Sequence, residues 1–451
     1  MGRRGSLTWL LLFLLVTTGC GGHDVDPLAG RLEIEAVTGA RYVRDELLVG
    51  YRHDITAVEL QSLEAGMQLQ AVKSFPELNL RLVRLPAGLD VDQALAQLAA
   101  HPDVHYAEPN YVLEPQATPN DPSFSLQWHL RNTGQTVNGT AGTSGADVSA
   151  TTAWDSTTGS SSVVVAVIDT GADLSHPDLS GNLGSGRDFV FGTNTPTDTN
   201  GHGTSVAGIV AAVGNNGTGV SGVAWTAKIV PLRAGVSVLS VDLTIEAINH
   251  AKNNGAHIVN ISAGTTAFSQ ALKDAIDGAS GLLFVTAAGN DGKDNDVRPI
   301  YPASFDSANI IAVAATDQND NLASFSNFGA TSVDVAAPGS NITTTQLGGG
   351  VRQSFSGTSA ASPVVAGVAA LVKARFPSKS VSELKSAILD NVDTKSSLSG
   401  KLVTGGRVNA KLAVGGVASI SGNTGGSSGG FTNQNNLISA PVGNTRGAFT
   451  P

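Results

Sequence analysis

The chain has 451 residues, too many for one compact domain and suited to two or three. Hydrophobic residues make up 41% and charged residues 14%, with 53 glycines, so a large apolar core is available in a loop-rich fold with tight turns. A formal net charge of −10 without a basic cluster argues against nucleic acid as a partner, and the single cysteine excludes an intramolecular disulfide. The first 118 residues hold 9 Lys/Arg against 15 Asp/Glu, the rest 18 against 22. The larger C-terminal part is therefore near neutral, and charge says little about its substrate.

The chain opens with Arg3 and Arg4, an apolar run from Leu7 to Val16, and then Thr17-Thr18-Gly19-Cys20. A charged start, a short apolar stretch and small residues read as an export signal over residues 1–20, and the run is too short to span a bilayer comfortably. Cys20 at its end resembles the lipidation cysteine of a lipobox, with Thr17 where Leu is usual. A lipid anchor on Cys20 is expected; an ordinary cleaved signal is the alternative. Residues 21–41 read as a tether.

Residues 42–115 form a small unit. Glu46 to Tyr51, Leu78 to Leu85 and Val104 to Tyr111 read as strands, and Ile55 to Gly66 and Val91 to Ala100 as helices. A β-α-β-β-α-β-like order suits a ferredoxin-like α+β domain. Three prolines between Pro115 and Pro122 mark an exposed linker, where proteases cut. Over residues 119–415 the pattern changes. Short apolar runs at Val163–Ile168, Lys228–Leu232, His257–Ile261, Leu282–Thr286 and Ile310–Ala315 predict parallel strands covered on both faces. Helices are predicted at His202–Val213, Asp242–Asn254, Gln270–Gly278 and Ser359–Arg375, so the expectation is a doubly wound α/β domain with a mostly parallel sheet. Residues 416–451, rich in Gly, Ser and Asn, read as a flexible tail.

Three segments carry chemistry. Val165-Ala-Val-Ile-Asp-Thr-Gly171 sets Asp169 at the carboxyl end of a buried strand, where open α/β sheets keep their functional groups. Asn200-Gly-His-Gly-Thr-Ser-Val-Ala-Gly208 sets His202 between glycines at a helix start. Phe355-Ser-Gly-Thr-Ser-Ala-Ala-Ser-Pro-Val-Val-Ala-Gly367 carries Pro363 four residues after Ser359, which puts Ser359 near a helix N-terminus, where a developing anion is favoured. Singly, each residue has a bland reading as turn residue, incidental histidine or N-cap. Together they supply nucleophile, base and orienter, in the Asp–His–Ser order of subtilisin.

These segments resemble the signature motifs of the subtilisin-like serine proteases from about Asn120 to Leu412. Thr316-Asp-Gln-Asn-Asp-Asn321 and Val333-Asp-Val-Ala-Ala-Pro-Gly339 resemble the thermitase branch, and residues 42–113 resemble the family's inhibitory propeptide. The resemblance implies a precursor that processes itself into a serine endopeptidase acting on flexible proteins or peptides. Ser359 is then the nucleophile, His202 the general base and acid, and Asp169 its orienter. Asn290, in Thr286-Ala-Ala-Gly-Asn290, becomes the oxyanion-hole amide, and Ser262 and Gly264 flank a segment that pairs with substrate. It also implies a structural calcium held by Asp121, Asp178 and Asn216. Departures are Ser205 where relatives carry a second His, Ala360 where they carry Met, Trp225 for a usual Pro, and a short, unusual stretch from Arg233 to Val241. The expected protein is a monomer, secreted or held at the cell envelope, and its activity should fall as His202 protonates near or somewhat below about pH 6.5. A silent binding scaffold and an esterase are the readings from other classes; the intact set Asp169, His202, Asn290 and Ser359 weighs against the first, the strand-pairing segment against the second.

Overall fold

The computed structural model describes residues 31–34, 41–112 and 118–415. The export signal with Cys20, most of the tether, residues 113–117 of the linker and the tail from 416 lie outside these.

In the N-terminal unit, helices Ala57–Gly66 and Val91–Ala99 alternate with strands Arg41–Tyr51, Gln70–Phe75, Leu80–Arg84 and Val104–Tyr111. The strands pair antiparallel in the spatial order Val104–Tyr111, Arg41–Tyr51, Leu80–Arg84, Gln70–Phe75, which is the ferredoxin-like arrangement. Thr56 and Glu59 form a reciprocal capping box at the first helix, and Asp90 caps the second. Leu47, Val49, Val83, Ala94 and Leu98 are fully buried between sheet and helices. Two elements correct the sequence reading. The tether contributes a strand, Leu32–Ile34, paired with Arg41–Val43. Gln70–Phe75 is also a strand, but its first five residues are exposed, so it lacks the alternation that announces one.

In the larger unit, nine strands pair among the described residues in the order Val392–Thr394, Gly406–Val408, Val335–Pro338, Ile310–Thr316, Leu283–Ala287, Ile258–Ile261, Val164–Asp169, Lys228–Arg233, Arg187–Asp188. All neighbours are parallel except the first two, which are antiparallel. The predicted strands all form, with ends shifted by a residue. Both faces are covered, and side chains alternate between them. Val165 and Val167 enter the apolar cluster beneath helices His202–Ala211 and Thr358–Arg375, while Ala166 and Ile168 enter the one beneath Val241–Asn253 and Gln270–Asp277. Each buried Val, Leu or Ile contributes about 1.5–3 kcal/mol relative to exposure. The helix Thr358–Arg375 runs through the core because its small residues admit close neighbours; a Cβ on Gly367 would meet Val223 Cβ at 2.5 Å. This doubly wound frame brings the carboxyl ends of Val164–Asp169 and Ile258–Ile261 to one edge, beside the N-termini of His202–Ala211 and Thr358–Arg375.

Candidate active site

Asp169 ends its strand and is fully buried. Its Oδ1 accepts from the Thr170 backbone N–H at 2.8 Å and from His202 Nδ1 at 2.8 Å. That pairing puts the proton on Nδ1 and leaves Nε2 as the basic nitrogen. His202 is the first residue of its helix, after Gly201 in the left-handed region at φ 96°. A Cβ at position 203 would meet the Gly171 carbonyl oxygen at 2.2 Å, so glycine is required beside the histidine. Burial works against the charged imidazolium, but the charge and hydrogen bond of Asp169, with Asp198 behind, outweigh it and raise the His202 pKa above its ordinary value. That direction is opposite to the one implied by a midpoint near or somewhat below pH 6.5.

Ser359 is the second residue of Thr358–Arg375 and half-buried. Pro363 has no N–H to give the Ser359 carbonyl its helical hydrogen bond, and the Ser262 hydroxyl donates to that carbonyl instead at 3.1 Å. The Ser359 hydroxyl donates to the Ser262 backbone carbonyl at 3.2 Å, not to His202. Ser262 is itself held by Asn260 Nδ2 at 2.9 Å, and Asn260 Oδ1 accepts from the Ser362 hydroxyl at 2.8 Å. Asn290 lies across the helix start. Its Oδ1 accepts from the Thr358 backbone N–H at 2.8 Å and the Thr358 hydroxyl at 3.0 Å, which fixes the amide's orientation. A cavity of about 480 Å³ opens beside His202 and Asp169, walled by Ser262, Gly264, Ile261, Leu272 and Tyr301 among others. Every residue expected to act on the substrate is thus in one neighbourhood, apart from a hydrogen bond between Ser359 and His202.

Residues 160–425 match the model of the subtilase family, the peptidase family that takes its name from subtilisin. The chain belongs to the subtilase family. Residues 31–110 of this subtilase match the fervidolysin N-terminal prodomain. It is 37% identical over 413 residues to the thermophilic serine proteinase of Bacillus sp. strain AK1, covering 90% of this chain and 96% of that one. It is 42% identical over 301 residues to thermitase of Thermoactinomyces vulgaris, covering 66% and 99%. Among solved structures, a protease of Pseudoalteromonas arctica superposes with a TM-score of 0.58 at 32% identity, covering 66% of this chain and 99% of that one. The protein is a subtilisin-like serine endopeptidase with a propeptide.

The three residues assigned to calcium also meet. In this subtilase the Asn216 backbone N–H donates to Asp121 Oδ1 at 3.0 Å, and Asn216 Nδ2 to Asp178 Oδ1 at 2.9 Å. Asp178 Oδ2 accepts from the Val220 N–H at 2.7 Å. Burial pushes the Asp178 carboxyl above the ordinary range, and the negative charge of Asp121 adds to that push. Two carboxylates and a side-chain amide brought together in one loop cluster are the ligand types a hard cation takes.

Sequence reasoning passed over Asp198. Its carboxylate accepts from the N–H groups of Asn200, Gly201 and Thr204 and from the hydroxyls of Thr170 and Thr204, at 2.6–2.9 Å. Burial raises its pKa, but these bonds hold it below the usual range. No local signal marked it, since an Asp in such a loop reads as a turn residue. At the departure Ser205, the hydroxyl donates to the Gly201 and Thr345 carbonyls, each at 3.0 Å, so the missing second histidine leaves a filled, satisfied position. Trp225 packs against Trp154 with ring centroids 4.6 Å apart and the ring planes tilted by 55°.

Proposed function

We propose that Asp169, His202 and Ser359 are the catalytic triad of this endopeptidase and that Asn290 binds the oxyanion. The observation that carries the reading is the Asp169–His202 hydrogen bond at the carboxyl end of strand Val164–Asp169, facing a helix N-terminus that bears Ser359 and is bonded to Asn290. Substrate enters along Ser262 and Gly264 as an added strand, whose backbone pairing gives affinity with little sequence preference. An apolar substrate side chain fills the cavity beside Ile261, Leu272 and Tyr301. Hydrogen bonds among catalytic groups are often loose without substrate, so the Ser359 hydroxyl turns from the Ser262 carbonyl to His202 Nε2 as substrate binds. Ser359 attacks the scissile carbonyl, and His202 takes its proton and passes it to the leaving amine. Asp169 holds the imidazole tautomer and stabilises the imidazolium. The Asn290 NH2 and the Ser359 backbone N–H receive the oxyanion, and water then releases the acyl group from Ser359 by the same steps. Turnover on casein against turnover on a simple ester tests the choice of peptide over ester. Efficient casein cleavage is expected, and ester hydrolysis without it contradicts the reading.

The N-terminal unit acts as an intramolecular inhibitor, released when the enzyme cuts its own chain within residues 113–119. The sequence of residues 1–20 supports export, with lipidation at Cys20. Asp121, Asp178 and Asn216 hold a structural calcium. At free calcium a hundredfold above its dissociation constant, such an ion adds about 2.7 kcal/mol of stability. Chelation is expected to lower the melting temperature of the Ser359→Ala protein, which cannot digest itself, and added calcium to restore it. In Asp178→Asn that shift should vanish; a melting temperature indifferent to chelator in the parent protein contradicts the site.

A further inference from the structure

Asn290 stands on an exposed loop, and Asp291, Gly292 and Lys293 after it are exposed as well. A side chain meant to meet a developing charge within a few tenths of an ångström sits on a segment with little packing of its own. Two buried amides lie beneath it. Asn327 is 0% exposed and Asn295 2%. Asn327 Oδ1 accepts from the backbone N–H groups of Asp291 at 2.9 Å and Lys293 at 3.0 Å. Its own backbone N–H donates to the Gly289 carbonyl at 2.9 Å. Its Nδ2 donates to Asn295 Oδ1 at 2.9 Å, and Asn295 Nδ2 donates to the Ala288 carbonyl at 2.9 Å. The loop is thus held on both sides of position 290. Gly289 has φ +110°, and a Cβ there would meet Asn327 Nδ2 at 2.6 Å, so the backbone is pressed directly onto the amide.

We infer that Asn327, braced by Asn295, is a positioning residue for the oxyanion amide: it fixes the backbone of residues 288–293 and so the point at which Asn290 meets the transition state. The inference rests on the reading of Asn290 as an oxyanion donor. Every side-chain polar atom of the brace is turned toward the loop or toward the second amide. A buried amide costs stability unless its bonds are made, and here each made bond ends on the loop or on the residue that anchors it. Displacements near an ångström are enough to weaken oriented catalysis severely.

The test compares Asn327→Ala with wild type, and the same substitution in an Asn290→Ala background, with rates expressed per active site titrated by a fluorophosphonate. Asn290→Ala alone should lower kcat by about a hundred- to a thousandfold, the loss measured in subtilisin itself for its oxyanion amide. Asn327→Ala should lower kcat by roughly tenfold or more with KM within about twofold, and should have almost no further effect once Asn290 is gone, since residues acting as one unit are non-additive. Asn327→Asp, of the same shape and still accepting from Asp291 and Lys293, should fall between wild type and alanine, and carries the comparison if the alanine variant does not fold. Equal losses in both backgrounds, or no loss of kcat from Asn327→Ala, overturn the positioning role. An Asn290→Ala enzyme with normal kcat instead overturns the oxyanion reading beneath it.

Discussion

Replacing His202 by alanine is expected to lower kcat on a peptide substrate by about a millionfold, roughly 8 kcal/mol of transition-state stabilisation, the scale known from subtilisin for loss of its base. The geometry says why nothing nearby substitutes. The Ser359 hydroxyl donates to the Ser262 carbonyl, which cannot take a proton at any working pH, and Asp169 is buried behind His202 with its Oδ1 bonded to the ring and to Thr170. Removing the ring also leaves that carboxylate buried and without its hydrogen-bonded partner, so a lower melting temperature should accompany the lost activity. The same geometry sets the pH dependence. A histidine acts as a base only when neutral, and the His202 pKa is raised because Asp169 and Asp198 outweigh burial. As pH falls, kcat/KM should therefore drop through a midpoint above the ordinary histidine value of about 6.5. A wild-type profile flat to below that value contradicts both the assignment and the sign of the shift.

The frame and the three expected catalytic residues were legible because each is tied to a local rule. Asp169 ends an apolar run too regular to be anything but a covered strand, and Pro363 can sit only near a helix start, which placed Ser359 to within one residue. What escaped has no local rule. Asp198, Asn295 and Asn327 are polar residues in loops, indistinguishable in sequence from turn residues, and their roles appear only when segments about 30 residues apart close on one another. The direction of the His202 shift escaped for a like reason: a lone buried histidine is pushed down, and Asp169, brought in from a segment 33 residues away, reverses the sign together with Asp198. Strand Gln70–Phe75 was invisible because its side chains face outward, and pairing with Leu80–Arg84 holds it.

The measurement closest to the central claim compares the precursor lacking its export signal with its Ser359→Ala variant, both treated with a fluorophosphonate and weighed intact. The probe phosphonylates a serine that is activated as a nucleophile, so labelling reports the assembled site. Self-processing requires the same serine, and the loss on removing it should be as large as for His202. The account predicts a labelled wild type whose mass begins within residues 113–119, and a variant that stays full-length and unlabelled while remaining folded. A folded wild type that is neither labelled nor shortened, or a variant that matures as the wild type does, would contradict it.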